Sequence, residues 1–207
     1  VSGNHDGAER LEVGRSMLSQ SGIHIWGSPH HALQPFEFEG TDGKVAICPM
    51  PFSEPRRIGD ALGLGFATSS LETSLNLHNY DQMYQAWSNH LRNQVPKGMR
   101  SIAISHAFVM GGDVGGSERT LSIGGSEQVS PQVFKDFHYT ALGHLHGPQR
   151  MGADYIRYSG SPLKYSFDEH TQKKSFTIID MDAKGNVDII TIPVEAKRDV
   201  VILEGYF

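Results

Sequence analysis

Short apolar runs broken by glycine and proline dominate the chain, and each reads as a strand buried on one or both faces. The runs are Ile23–Trp26, Lys44–Pro49, Arg100–Ser105, Tyr139–Gly143, Tyr155–Tyr158, Ser175–Asp180 and Val187–Ile192. Two stretches read as helix instead. Tyr80, Met83, Tyr84, Trp87 and Leu91 share one face of a helix predicted over Tyr80–Val95. Asn79 caps it, Gln82 stands three residues on, and Pro96 and Gly98 stop it. That aromatic stripe reads as a core-facing surface rather than a cofactor site. A second helix is predicted over Glu9–Gln20, ending before Gly22. Helices and strands alternate early and the last third is strand-rich, so the pattern predicts an α/β fold of stacked sheets flanked by helices.

Composition narrows this picture. A chain of 207 residues with 38% hydrophobic residues can bury a core without staples. No apolar run is long enough to span a membrane. The single cysteine, Cys48, excludes an internal disulfide, suits a reducing compartment, and sits in an apolar run as a small buried hydrophobe. The net charge of −5 lacks the basic footprint of a nucleic-acid binder, although bound divalent ions reverse the sign locally. Gly111–Gly125 is a polar, glycine-rich loop without a P-loop lysine, and reads equally as a substrate lid or a plain connection.

Three short segments carry chemistry. Gly3-Asn4-His5-Asp6 offers a neutral amide oxygen, an imidazole that exchanges protons, and a carboxylate able to fix a ring tautomer, although a surface turn has the same composition. His106 stands where a buried strand meets a loop, the usual place for functional residues of sheets, and taken alone it is a satisfied core histidine. In Gly143-His144-Leu145-His146-Gly147, an extended backbone would turn both imidazoles to one side and Leu145 to the other, a pairing suited to a divalent transition metal.

In this order the three segments resemble the calcineurin-like metallophosphoesterase superfamily. Within it they resemble the SbcD branch of nuclease subunits through Ala8-Glu9-Arg10-Leu11, Ser105-His106-Ala107-Phe108 with Ser117-Glu118-Arg119, and Tyr158-Ser159-Gly160-Ser161-Pro162-Leu163-Lys164-Tyr165-Ser166-Phe167. The resemblance implies a four-layer α-β-β-α sandwich and two metal ions, usually manganese. It implies that Asn4, His106 and His144 hold one ion and His146 the other. His5 would be the catalytic histidine, and Asp6 would orient it. The implied activity is metal-dependent hydrolysis of DNA phosphodiesters, as exonuclease and endonuclease, in repair and recombination. The implied partners are DNA, an SbcC-type SMC-like ATPase and a second copy of the chain, in the cytoplasm.

The family also carries Asp-x-His and Gly-Asp-x-x-Asp motifs before Gly-Asn-His-Asp, which here begins at residue 3. The sequence therefore leads to the expectation of a core incomplete at its N-terminus, with at most one ion well liganded and weak or no activity in these residues alone. Residues 1–195 would form the core and 196–207 the start of a linker. Arg10, Arg119 and Lys164 are basic residues beside the motifs, and a solvated surface charge is the simpler reading of each. Two other functions fit: a phosphoesterase acting on small diesters or phosphoproteins, and a non-catalytic interaction domain.

Overall fold

The computed structural model describes residues 1–64, 79–115 and 127–205. Its centre is a six-stranded sheet in the order β1-β2-β3-β6-β8-β7. These strands are β1 (Phe36–Gly40), β2 (Gly43–Met50), β3 (Arg100–His106), β6 (Tyr139–Gly143), β7 (Gln149–Met151) and β8 (Ala153–Tyr158). The inner four, β2, β3, β6 and β8, run parallel, and the two edges, β1 and β7, are antiparallel. Parallel strands are covered on both faces, which is why Val45-Ala46-Ile47-Cys48 and Ile102-Ala103-Ile104 are nearly continuous apolar runs. The α/β class expected from the pattern is present.

Helix α4 (Tyr80–Gln94) covers one face of this sheet. Met83, Tyr84, Trp87 and Leu91 of the predicted stripe are fully buried, which contributes roughly 1.5–3 kcal/mol for each large apolar side chain. Asn79 caps the helix by accepting the Gln82 N–H. Trp87 Nε1 donates to the Ala32 carbonyl at 3.0 Å and Ser88 Oγ to the Val133 carbonyl at 2.6 Å, so the helix is pinned by polar contacts as well. Cys48 is fully buried, and burial pushes its thiol up to about 12, as an inert core residue requires.

A second, separate sheet is the hairpin of β9 (Ser175–Met181) and β10 (Val187–Pro193). Its cross-strand pairs Phe176–Ile192 and Ile178–Ile190 lie exposed. The buried Arg100 joins the hairpin to the main sheet, donating to the Met181 and Asp182 carbonyls at 3.0 Å each and to the Gly43 carbonyl at 2.7 Å. A two-rung parallel pair, β4 (Phe108–Val109) with β5 (Gln128–Val129), follows His106 in space.

Several expectations need correction. Ile23–Trp26 is not a strand: it is joined to the chain start by the Ser2 N–H on the Trp26 carbonyl, one rung rather than a ladder. The helix over Glu9–Gln20 is two pieces, α1 (Ala8–Leu11) and α2 (Arg15–Ser19), parted at Gly14, whose φ is 76°. The stretch has no buried stripe, since Val13 and Met17 are 77% and 69% exposed, so nothing rewards a continuous helix. Between the pieces, the Glu12 carboxylate accepts the Gly27 and Ser28 N–H groups and faces His31. Helix α3 (Pro55–Ala61) and strands β1 and β7 were not expected. Pro55 in the first turn was a readable start signal for α3, and the Phe36-Glu37-Phe38-Glu39 alternation before Gly40-Thr41-Asp42-Gly43 was one for β1. Lys164 is not a solvated charge: its side chain is 10% exposed, and its ammonium pairs with Asp199 and donates to the His170 and Val200 carbonyls. Arg10 is exposed as expected. Arg119, the Ser117-Glu118-Arg119 match and the later part of the glycine-rich loop lie outside the described residues. Among the described residues no helix is long and apolar enough to cross a membrane.

Candidate metal centre

Because β2, β3, β6 and β8 run parallel, their carboxyl ends share one edge of the sheet. There β2 ends at Met50, β3 at His106 and β6 at Gly143, immediately before His144. The first residues of the chain are laid across this edge. Ser2 is buried and donates N–H to the Trp26 carbonyl at 2.9 Å and Oγ–H to the Gly27 carbonyl at 2.8 Å, while its own carbonyl accepts the Phe52 N–H at 3.0 Å. This anchoring brings Asn4 against His106, with His106 Nε2 3.0 Å from Asn4 Oδ1. Gly3 is required there, since a Cβ on it would stand 2.7 Å from His106 Cε1.

The backbone around His106 is clamped from two sides. Tyr84 on α4 donates its hydroxyl to the His106 carbonyl at 3.3 Å. Tyr158, at the end of β8, donates to the Ala107 carbonyl at 2.5 Å and accepts the Val109 N–H at 2.9 Å. Both phenols are buried, and burial raises both well above the usual tyrosine range. The ring of His106 meets that of His144 edge-on, with centroids 5.4 Å apart, and the ring of Phe52 at 6.2 Å. Burial, reinforced by His144 and opposed by Asp6, holds the His106 imidazole down at about 4. It is therefore neutral near pH 7, the form in which a histidine ligates a metal.

The extended-strand geometry expected for His144 and His146 does not hold. Strand β6 stops at Gly143, and His144 has a φ of 123°, a left-handed value found at no other non-glycine among the described residues. A bend, not a strand, therefore presents the two rings. Leu145 does point away, into the core. His144 faces His106 and Phe108, whereas His146 meets Tyr165 at a tilt, with centroids 5.7 Å apart, and places Nδ1 2.9 Å from Glu169 Oε1. Asp6 closes the turn of residues 3–6, accepting the Gly3 N–H on its carboxylate at 2.7 Å. His5 is exposed beside this turn and near enough to lower the proton affinity of His106.

Among the described residues no group of three or more His, Cys, Asp or Glu side chains has the spacing of a metal cage. The donors that converge are an amide and two imidazoles: Asn4, His106 and His144. They fit part of a divalent-metal site. Their chemistry, an amide oxygen and imidazole nitrogens, is that of ligands to such an ion. Glu169 was missed in the sequence. It lies just past the recognised Tyr158–Phe167 stretch, and nothing in the sequence marks it, since its neighbours Phe167 and Asp168 are exposed.

A mixed sheet with imidazole and amide donors at the carboxyl edge of its parallel strands defines an α/β protein. Sequence comparison narrows the class. The chain is 30% identical over 205 residues to the SbcD subunit of the SbcCD nuclease of Staphylococcus epidermidis, covering 99% of this chain and 51% of that protein. It is 32% identical over 183 residues to the corresponding SbcD subunit of Bacillus subtilis, covering 87% of this chain and 46% of that protein. The chain is thus a relative of the SbcD nuclease subunits, as its motifs indicated, and it spans about half the length of the curated relatives it matches. No protein-family model matches it.

Proposed function

We propose that this chain is part of a metal-dependent DNA nuclease subunit, and that its Asn4, His106 and His144 contribute neutral donors to one divalent ion while His146 contributes to a second. The observation that carries the reading is the convergence of Asn4 and His106, 102 positions apart in the sequence, onto the carboxyl edge of the sheet, facing His144. When bound, manganese ions supply the Lewis acidity that activates water and neutralises the phosphodiester. The chain's own residues hold His106 neutral, orient Asn4 and His106 through Gly3, Tyr84 and Tyr158, and place His5 on the exposed side of the site. His5 there protonates the departing oxygen or stabilises the charge of the transition state, and Asp6 positions it by holding the turn. An amide and imidazoles carry no negative charge, so in this reading carboxylates that balance the ions' charge come from elsewhere in the parent protein.

In this reading the six-stranded sheet and the β9–β10 hairpin belong to the two stacked sheets of an α-β-β-α sandwich, with Arg100 linking them, and residues after 195 lead out of the core. The relatives' name makes them subunits of SbcCD. An SbcC-type ATPase, a second copy of the chain and DNA are the proposed partners, and repair and recombination the proposed setting, in the cytoplasm. The test is calorimetric titration of this chain with manganese, paired with cleavage assays on the full-length parent. Manganese binding lost in His106→Ala, and a linear duplex cleaved faster than a small phosphodiester, are the expected results. Preference for the small ester would replace the nuclease with another phosphoesterase activity. Absence of metal dependence in the parent would leave an interaction domain.

A further inference from the structure

Glu169 is fully buried at the end of a short helical turn, Phe167–Glu169, started by Ser166 Oγ accepting the Asp168 N–H. Among the described residues three donors converge on its carboxylate. His146 Nδ1 stands 2.9 Å from Oε1, Lys174 Nζ 2.6 Å from Oε2, and the Tyr165 N–H 3.3 Å from Oε2. Lys174, 7% exposed, also lies within hydrogen-bond distance of the His146 carbonyl at 2.9 Å, Ser161 Oγ at 2.8 Å and Gln172 Oε1 at 2.6 Å, so its three N–H groups are shared among four oxygens. The same carbonyl accepts the Ser161 N–H at 3.0 Å. Gly160 approaches it so closely, with φ at 76°, that a Cβ there would stand 2.5 Å from the oxygen. The Glu169–Lys174 pair therefore grips both the backbone and the ring of one histidine. Buried ion pairs are weak devices for stability, because desolvation offsets most of the attraction. One whose two members both contact a single residue, Glu169 at the ring and Lys174 at the carbonyl, is better explained by placement of that residue.

We propose that Glu169 is a positioning residue: it holds the ring proton of His146 on Nδ1, so that the lone pair lies on Nε2 for the divalent ion. This rests on the reading of His146 as a metal ligand. The chemistry follows from the donor inventory. An ionised carboxylate only accepts, so the imidazole nitrogen facing it must carry the proton. Carboxylate–histidine–metal relays work in this way. The Oε2 side faces Lys174 and the Tyr165 N–H, which only donate and so favour an acceptor there. In Glu169→Gln the amide oxygen therefore stays on that side and the NH2 turns to His146 Nδ1. The ring must then accept at Nδ1, and its proton moves to Nε2.

The experiment is long-range proton–nitrogen NMR of the 15N-labelled 207-residue chain at pH 8 without metal. His146 is assigned by its loss in His146→Gln, and manganese affinity is measured by calorimetry on the same samples. The wild type is expected in the Nδ1–H form and Glu169→Gln in the Nε2–H form, with manganese affinity at the His146 site lower by roughly 10–100-fold. An Nε2–H ring in the wild type overturns the proposal, and so does a Glu169→Gln ring that keeps its proton on Nδ1. If Glu169→Gln fails to fold, the wild-type tautomer decides alone. A tautomer switch with unchanged manganese affinity upholds Glu169 as the residue that sets the ring and removes His146 from the ligand set.

Discussion

Replacing His144 by alanine and by glycine separates the strain at the site from its chemistry. Both variants lose the imidazole, and with it the contacts to His106 and Phe108. They differ in the backbone. At the φ of 123° recorded for residue 144, a Cβ crowds the adjoining peptide groups, a strain of order 1–3 kcal/mol that glycine escapes. Glycine gives back about 0.4–1 kcal/mol through the greater freedom of its unfolded chain. The balance favours His144→Gly over His144→Ala by roughly 1 kcal/mol, the reverse of the usual order, in which alanine is better by about 0.5–1 kcal/mol. For a chain of 207 residues this corresponds to a melting temperature higher by about 2–4 °C in the glycine variant. Thermal and urea denaturation of the two variants side by side measures it. An alanine variant as stable as the glycine variant, or more so, would refute the claim that the bend at His144 is strained. Manganese binding should fall equally in both, because neither carries the ring.

Two further outcomes follow from polar contacts outside the metal donors. Tyr158→Phe leaves the Ala107 carbonyl and the Val109 N–H buried without the hydroxyl that joins them. That should cost roughly 2 kcal/mol or more, read as a fall of about 4–8 °C in melting temperature, and an unchanged melting temperature would sink the clamp. His138 accepts the Ser101 N–H on Nδ1 at 3.1 Å, and burial together with Arg92 and Arg100 lowers its proton affinity. Its folded pKa lies below the unfolded value, so its contribution is complete above about pH 6.5 and is lost as pH falls through the folded pKa. Between pH 7 and 5 the stability of His138→Asn, which keeps an acceptor, should fall less steeply than the wild type by urea titration, and parallel slopes would contradict this.

The parts of the fold that were legible in the sequence are those where one period dominates. The Tyr80–Leu91 stripe and the apolar runs of β2, β3 and β6 are buried because they lie in the middle of layers, and their boundaries fall within a residue or two of the pattern. The segments that failed obey contacts with distant residues. Ile23–Trp26 is shaped by Ser2, and the break near Gly14 by a carboxylate that serves Gly27 and Ser28. The site divides in the same way. Asn4, His106 and His144 were readable as donor types at a strand edge. The positive φ of His144 and the Glu169–Lys174 pair were not, because they depend on how a turn after β8 folds back over the end of β6.

The hydrogen bond between Asn4 and His106 joins residues 102 positions apart. Loop-closure entropy rises only slowly with length, by about 0.6 kcal/mol per doubling, but it must be met before any contact across the loop repays it. The parallel register of β2, β3 and β6 has to exist before there is an edge for the first residues to lie on, and parallel pairing is itself slow. Assembly of this corner is thus a late event in folding, and no excised peptide can reproduce it. Any ion it holds binds the finished state and not the unfolded chain, so occupancy adds to stability by mass action. The contact thereby serves as a clasp, and whatever loosens either end of that span opens this corner of the fold.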